Sequence, residues 1–67
     1  MLNKKILALR NKIINKINSC NDEIRRLEAE KILIKTERGL IEQNKAINHY
    51  NLTAQAYKDI IWDIDRI

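Results

Sequence analysis

Apolar side chains recur at helical spacing along the first half of the chain. Steps of three and four residues place them on one side of an α-helix, and one eleven-residue step lets the stripe drift from a strict seven-residue repeat. The pattern therefore predicts a long amphipathic helix. The stripe consists of Leu2, Ile6, Leu9, Ile13, Ile17, Cys20, Ile24 and Leu27.

A second stripe near the other end has a clean seven-residue repeat and predicts a second helix. Its members are Ile47, Tyr50, Ala54, Tyr57, Ile61 and Ile64, and the repeat extends back through Leu40 and Leu33. The two stripes differ in phase and overlap in the middle, where apolar residues spread over a wide arc. A helix that is apolar on two sides is contacted on two sides, so we expect the middle of the chain to be central in the fold or assembly.

The position of the break between helices has three candidates. Gly39 follows Arg38 and could form a left-handed cap, which predicts a helix over 2–37, a turn near 38–40 and a helix over 41–66. Alternative breaks lie near 19–21, where Ser19 and Asp22 have capping-box spacing, and near 49–51, where Asn51 could cap a last helix. A single unbroken helix over the whole chain ranks behind both a two-helix and a three-helix arrangement.

These patterns predict a single all-α domain over residues 1–67. Its long amphipathic helices would form a helical hairpin or a coiled-coil-like assembly, with two helices favoured and three as the alternative. With 67 residues and one cysteine, the chain has a small core and cannot form an internal disulfide. We therefore expect it to depend on other protein chains, either a larger partner or further copies of itself as a homo-oligomer.

The net charge of +4 is concentrated in the first twenty residues, which hold five basic side chains and no acid. Lys5, Lys12 and Lys16 lie in a narrow arc beside the first stripe. They either bind an anionic surface, such as nucleic acid or an acidic protein groove, or extend along the helix contact with their charges in water. No apolar run is long enough to cross a membrane, and we expect no membrane partner.

Several residues of the second helix are candidates for contact with a partner. Trp62 projects away from the second stripe, and tryptophan is enriched in binding hot spots, so it either anchors a partner or packs over a neighbouring helix of the same chain. Asp59 and Asp63 share a helix face near the negative end of the helix dipole. Either a basic group compensates them, from Lys12 and Lys16 or from a partner, or they form a solvated acidic face. The predicted partner-binding set is Trp62, Tyr57, Leu40, Ile41, Asp59 and Asp63.

No catalytic, metal or cofactor site is predicted, and no small-molecule substrate is expected. One glycine cannot form a phosphate-binding loop, His49 is the only histidine, and Cys20 lies within the apolar stripe. A nucleophile, a base and an orienting group cannot be assembled from this set. A carboxylate pair at Asp59 and Asp63 lacks the further oxygen ligands that Mg²⁺ or Ca²⁺ requires.

In composition, with its many Ile, Lys and Asn residues, the chain resembles small accessory proteins of bacteriophages and mobile elements in A/T-rich hosts. The expected function is non-enzymatic protein–protein interaction, as an accessory or structural subunit of a larger assembly such as a viral particle. The expected location is the cytoplasm or a virion assembled there. The alternatives are a small nucleic-acid-binding protein that uses the basic N-terminal helix, and an inhibitor that docks on a host protein.

Overall fold

The computed structural model describes residues 3–66, and within them the chain is a helical hairpin. Helix α1 spans Lys4–Glu30, a 3-10 turn spans Lys31–Leu33, and helix α2 spans Glu37–Asp65. The two helices pack against each other in antiparallel orientation, which confirms the predicted all-α hairpin. Leu2, with which the first predicted stripe begins, lies outside the described residues.

The helix contact follows a strict seven-residue repeat on both helices. Six side chains along it are buried, with exposed fractions of 3–8%: Ile13, Cys20, Leu27, Ile47, Ala54 and Ile64. Half-buried residues fill the intervening positions, namely Ile6, Arg10, Ile17 and Ile24 on α1 and Gln43, Tyr50, Tyr57 and Ile61 on α2. We call this contact the seam, and it matches the predicted second stripe from Ile47 to Ile64.

From Ile6 to Leu27, the first stripe is predicted correctly except at one position. Leu9 is 51% exposed, and Arg10 occupies the seam in its place. Two helices that coil around each other keep a seven-residue repeat, so the eleven-residue step needed to include Leu9 is not used. The long side chain of Arg10 reaches across to α2 instead and binds Asp65 there.

The turn lies earlier than Gly39, so the predicted turn at 38–40 is wrong. Gly39 has no positive φ and lies in the first turn of α2. The helix begins after Thr36, whose extended backbone and side-chain oxygen cap it by accepting a hydrogen bond from the Gly39 N–H at 3.0 Å. A threonine cap satisfies a backbone donor that the helix leaves without a partner.

The alternative breaks are also wrong, since α1 continues through 19–21 and α2 continues through 49–51. Asn3 caps α1 in the way that Thr36 caps α2, by accepting a hydrogen bond from the Ile6 N–H at 2.9 Å. Both helices are therefore uninterrupted, and the hairpin extends over 52 × 15 × 11 Å. No helix within residues 3–66 is both long enough and apolar enough to cross a membrane.

The middle of the chain lies at one end of this rod, so the expectation that it is central in the fold is wrong. Leu33, predicted as part of the second stripe, is 77% exposed in the 3-10 turn. Gln43 takes the next seam position on α2 and donates hydrogen bonds to the Leu27 carbonyl and the Glu30 carboxylate, at 3.0 and 3.3 Å. The seam thus ends in polar contacts, and the apolar residues of the turn lie beyond it.

Candidate protein-contact surfaces

The turn end of the hairpin presents the most exposed apolar side chains of the described residues. Ile32 is 85% exposed and Leu33 is 77% exposed, while Ile41 and Leu40, in the first turns of α2, are 49% and 36% exposed. These four residues form what we call the turn-end patch. Its members Leu40 and Ile41, predicted as partner contacts, therefore lie at the surface of the hairpin beside the turn.

Close packing inside the turn orients this patch. A Cβ atom added at Gly39 would lie 2.8 Å from Ile34 Cγ2 and 2.8 Å from Thr36 Oγ1. Glycine is therefore required by the close approach of the linker, and not by a left-handed backbone. With Ile34 half-buried against this position, Ile32 and Leu33 are left facing outward.

Trp62 lies near the opposite end of the rod and is 63% exposed. It precedes Asp65 by three residues, so it lies on the side of α2 where Arg10 binds Asp65. The Arg66 guanidinium carbon lies 5.2 Å from the centroid of the Trp62 ring, a cation–π contact that covers part of one ring face. The rest of the indole is open to solvent, as its position away from the second stripe predicts.

Arg10 and Asp65 form the ion pair that joins the two helices at this end. Arg10 Nε lies 2.7 Å from Asp65 Oδ1, and Arg10 Nη2 donates to Asp65 Oδ2 at 3.1 Å. The hydrogen bonds from Arg10 lower the pKa of the Asp65 carboxyl, and the same bonds raise the pKa of Arg10. The geometry is bidentate, which is the most specific arrangement for this pair.

Asp59 and Asp63 are not paired with Lys12 or Lys16 among residues 3–66, so the intramolecular compensation considered from the sequence does not occur there. Asp59 accepts a hydrogen bond from Gln55 one turn earlier, at 3.1 Å. Both aspartates are exposed on α2, away from the seam. The carboxylate whose charge is compensated within the chain is that of Asp65, which binds Arg10. Its position directly after the seam residue Ile64 could have identified it from the sequence.

The other side of the hairpin carries the basic cluster of α1. Lys16 Nζ lies 5.9 Å from the centroid of the half-buried Tyr57 ring. The cluster therefore lies on the side of the hairpin where Lys16 of α1 contacts Tyr57 of α2. Lys5, Lys12 and Lys16 are all exposed, and none takes part in the ion pairs found within the described residues. Tyr57, a predicted partner contact, is thus partly covered within the chain.

Two glutamates continue the same side of α1 toward the turn. Glu23 and Glu30 follow Lys16 at seven-residue spacing, and both bind Arg26, at 2.7 and 2.6 Å. The hydrogen bond from Arg26 lowers the pKa of the Glu23 carboxyl. We call this side the lysine face, and its α1 residues are Lys5, Leu9, Lys12, Lys16, Ser19, Glu23, Arg26 and Glu30.

The described residues contain no pocket and no group of three His, Cys, Asp or Glu side chains that could hold a metal ion. Cys20 is a free thiol, 8% exposed in the seam. His49 is exposed and stacks edge-on against Tyr50, with ring centroids 5.5 Å apart. The hydrogen bond that involves His49 within residues 3–66 is made by its backbone carbonyl, which accepts from the Thr53 hydroxyl at 2.9 Å.

The described residues form a two-helix antiparallel hairpin with three exposed regions that are candidates for protein contact: the turn-end patch, Trp62 and the lysine face. Neither the known protein-family models, the curated proteins nor the solved structures contain a match to this chain.

Proposed function

We propose that the hairpin is a non-enzymatic protein–protein interaction subunit that binds a larger protein through its turn-end patch. The observation that carries this proposal is the exposure of Ile32 and Leu33, at 85% and 77%, on adjacent positions of an ordered turn. Apolar surface removed from water contributes roughly 25 cal/mol per Å², so covering these side chains favours association. Single exposed apolar residues are common, whereas clusters of exposed apolar side chains are typical of interaction sites, and this supports the proposal.

Trp62 supports a second contact with the same partner at the other end of the rod. Tryptophan side chains often dominate interface energetics, because a rigid ring buries a large area with little loss of entropy. Arg66 over one face of the ring holds its orientation before binding. The two contact regions lie near opposite ends of a molecule 52 Å long, so a partner that uses both must extend along it.

The proposal is tested by affinity capture from the cells that make the protein, with bound proteins identified by mass spectrometry. The double variant Ile32→Ser, Leu33→Ser should lose the specific partner, while Leu52→Ser should retain it. Leu52 is a matched control because it is 64% exposed but lies in the middle of α2. Trp62→Ala tests the second contact. Equal recovery of the same proteins by wild type and the Ile32/Leu33 variant would contradict the proposal.

The compositional resemblance to phage accessory proteins supports a place for this subunit in a viral or similar assembly. In that case the chain should sediment with the assembled particles on a density gradient and should be present at a fixed ratio to the major structural protein. The Ile32→Ser, Leu33→Ser variant should remain in the light fractions. Wild-type protein that never sediments with particles would remove this part of the proposal.

A second candidate function is binding of nucleic acid, and the observation in its favour is the set of exposed Lys5, Lys12 and Lys16 without ion-pair partners among residues 3–66. Binding of this kind releases counterions and weakens steeply with salt. Gel-shift titrations at increasing salt, with wild type and the triple change of these lysines to glutamate, test it. Affinity that survives the triple change would exclude this function.

A further inference from the structure

We propose that the lysine face binds the lysine face of a second copy of the chain, so that two hairpins form an antiparallel dimer with a twofold axis. This inference goes beyond the proposed function, because it concerns a different surface from the turn-end patch and a second copy of the chain as the partner. Three features of the hairpin support such a dimer: the order of charges along α1, the α2 residues beside them, and the length of the hairpin.

Charges along the lysine face are ordered by sign. Its N-terminal half carries Lys5, Lys12 and Lys16, and its C-terminal half carries Glu23 and Glu30 with Arg26 between them, a net charge of −1. A second copy in the same direction would place lysines over lysines. A second copy in the opposite direction places the basic half of each chain over the acidic half of the other, which favours the antiparallel arrangement.

The positions of the charges agree with a single twofold axis. Lys5 and Glu30 are equally distant along the sequence from the point between Ile17 and Asn18, and so are Lys12 and Glu23. An axis through that point therefore brings each lysine opposite a glutamate of the second copy. Helix α1 spans Lys4–Glu30 and has its midpoint at Ile17, so the same axis also overlaps the two α1 helices along their whole length.

The uncharged residues of the face fit the same arrangement. Leu9, which is 51% exposed, lies opposite Arg26 of the second copy, where it can pack on the aliphatic part of that side chain. Lys16 lies opposite Ser19, so no like charges meet near the axis. On α2 the same side presents Ala46, Thr53 and Ile60 at seven-residue spacing, and Ile60 is 43% exposed. Small and apolar side chains allow two helices to approach closely.

The hairpin is long enough to supply the area that a dimer needs. Its extents are 52 × 15 × 11 Å, so a contact along one of its broad sides is comparable in size to the ~800 Å² that each partner of a standard protein–protein interface buries. The dimer would contain four helices, and contacts between the two lysine faces would add to the contacts within the seam of each hairpin. Its two turn-end patches would point in opposite directions, leaving both available for further partners.

Sedimentation equilibrium of the full chain, at low and high salt, tests the proposal through charge reversal. Lys12→Glu and Glu23→Lys each place like charges opposite each other twice in the dimer, and each should raise the dissociation constant by about tenfold or more. The double variant Lys12→Glu, Glu23→Lys restores opposite charges and should dimerise like wild type. An equimolar mixture of the two single variants should form a heterodimer for the same reason.

Lys4→Glu and Asp22→Lys are matched controls, because both residues are exposed on the side of α1 that faces away from α2. They should leave the dissociation constant unchanged, and circular dichroism should show that every variant remains helical. A variant that fails to fold is left out of the comparison. The test still stands, because the double variant and the mixture each measure the pairing of residue 12 with residue 23 of the second copy.

Four results would overturn the proposal. The first is a wild-type chain that keeps the 7.9 kDa mass of a monomer up to millimolar concentration. The second is a double variant as weak as the single variants. The third is a mass that rises only when a single-stranded DNA oligonucleotide is added, which would assign the lysines to a polyanion. The fourth is a dimer of twice the length in small-angle scattering, which would place the contact at the turn-end patches while leaving the proposed function intact.

Discussion

At the scale of single residues, the bidentate ion pair between Arg10 and Asp65 holds the two helices together at the end of the hairpin opposite the turn. It joins the beginning of α1 to the end of α2 with two hydrogen bonds. The position of Asp65 near the negative end of the α2 dipole would otherwise be unfavourable, and the guanidinium offsets it. The pair therefore links a local electrostatic conflict to the closure of the fold.

This pair makes the stability of the hairpin dependent on pH. Because hydrogen bonds from Arg10 lower the pKa of Asp65, the folded state binds fewer protons than the unfolded state, whose value is near 3.8. The contribution is complete above that value and is lost as the pH falls through the lower pKa of the folded protein. The melting temperature measured by circular dichroism should therefore decrease as the pH is lowered through this acidic range.

The decrease in melting temperature on acidification should be smaller for the Asp65→Asn variant than for wild type, because this variant lacks the ion pair already at neutral pH. Asp59→Asn is the control, since Asp59 accepts a hydrogen bond only from the neutral Gln55 among the contacts of the described residues. It should reproduce the wild-type decrease. An Asp65→Asn variant with the full wild-type acid sensitivity would show that another carboxyl group dominates.

Gly39 supplies a second prediction at this scale. Alanine has a helix propensity up to about 1 kcal/mol better than glycine, yet its Cβ would lie 2.8 Å from both Ile34 Cγ2 and Thr36 Oγ1. Relief of these contacts moves a β-branched side chain and breaks the Thr36 cap, itself worth about 1 kcal/mol. Gly39→Ala should therefore lower the melting temperature. Asn51→Ala, at an exposed position inside α2, should raise it or leave it unchanged.

At the scale of the elements, the seam determines which residues of two similar apolar stripes are buried. Six side chains in the seam are nearly inaccessible, while Leu7, Leu9, Leu52 and Ile60 are more than 40% exposed. In proteins, most helical stability comes from the packing of an amphipathic face against the rest of the fold, and much less from the intrinsic helix propensity of the residues. Contact between the two helices is consequently the main source of their helical structure.

Truncation of one seam residue should therefore have a large effect. Ile47 is 6% exposed on α2, and Ile47→Ala should cost about 2–5 kcal/mol of unfolding free energy, a large share of what so small a core supplies. Leu52→Ala, at a position that is 64% exposed, should change stability by less than about 0.5 kcal/mol. Urea denaturation followed by circular dichroism compares the two. Equal effects would contradict the assigned seam.

The turn shows how local signals competed in the sequence. Glycine after a basic residue is a common end to a helix, and this favoured a turn at Gly39. Thr36, followed by Glu37, is an equally ordinary beginning of a helix, since the threonine oxygen caps it and the acid suits the positive end of its dipole. Choosing between them required the packing of Ile34 against Gly39, which is a contact between the linker and the helix.

At the scale of the whole molecule, the hairpin is an elongated rod. A compact domain of 67 residues has a radius of gyration of roughly 11 Å. The Cα radius of gyration of this chain is 15.6 Å, because two helices side by side provide only a single layer of contacts. The shape accounts for the large exposed apolar surface, since each helix has a neighbour on one side only.

Small-angle scattering in dilute solution should show this shape directly. We expect a radius of gyration near 15.6 Å for the isolated hairpin. If the lysine face mediates dimerisation, the forward scattering should double at high concentration while the longest dimension stays close to that of one rod. A value near that of a compact globule in dilute solution would be incompatible with a two-helix hairpin.

The sequence by itself determined that the chain is helical, that it forms a hairpin, and most of the residues along the seam, because periodic spacing of apolar side chains is a local property of each helix. Only the tertiary structure decided that Arg10 and not Leu9 completes the seam, that α2 begins after Thr36, and that the apolar middle of the chain is an exposed end. The start of α2 depends on the packing of the linker against Gly39, whereas the residues of the seam depend on the register of one helix against the other, which is set by contacts between residues far apart in the chain.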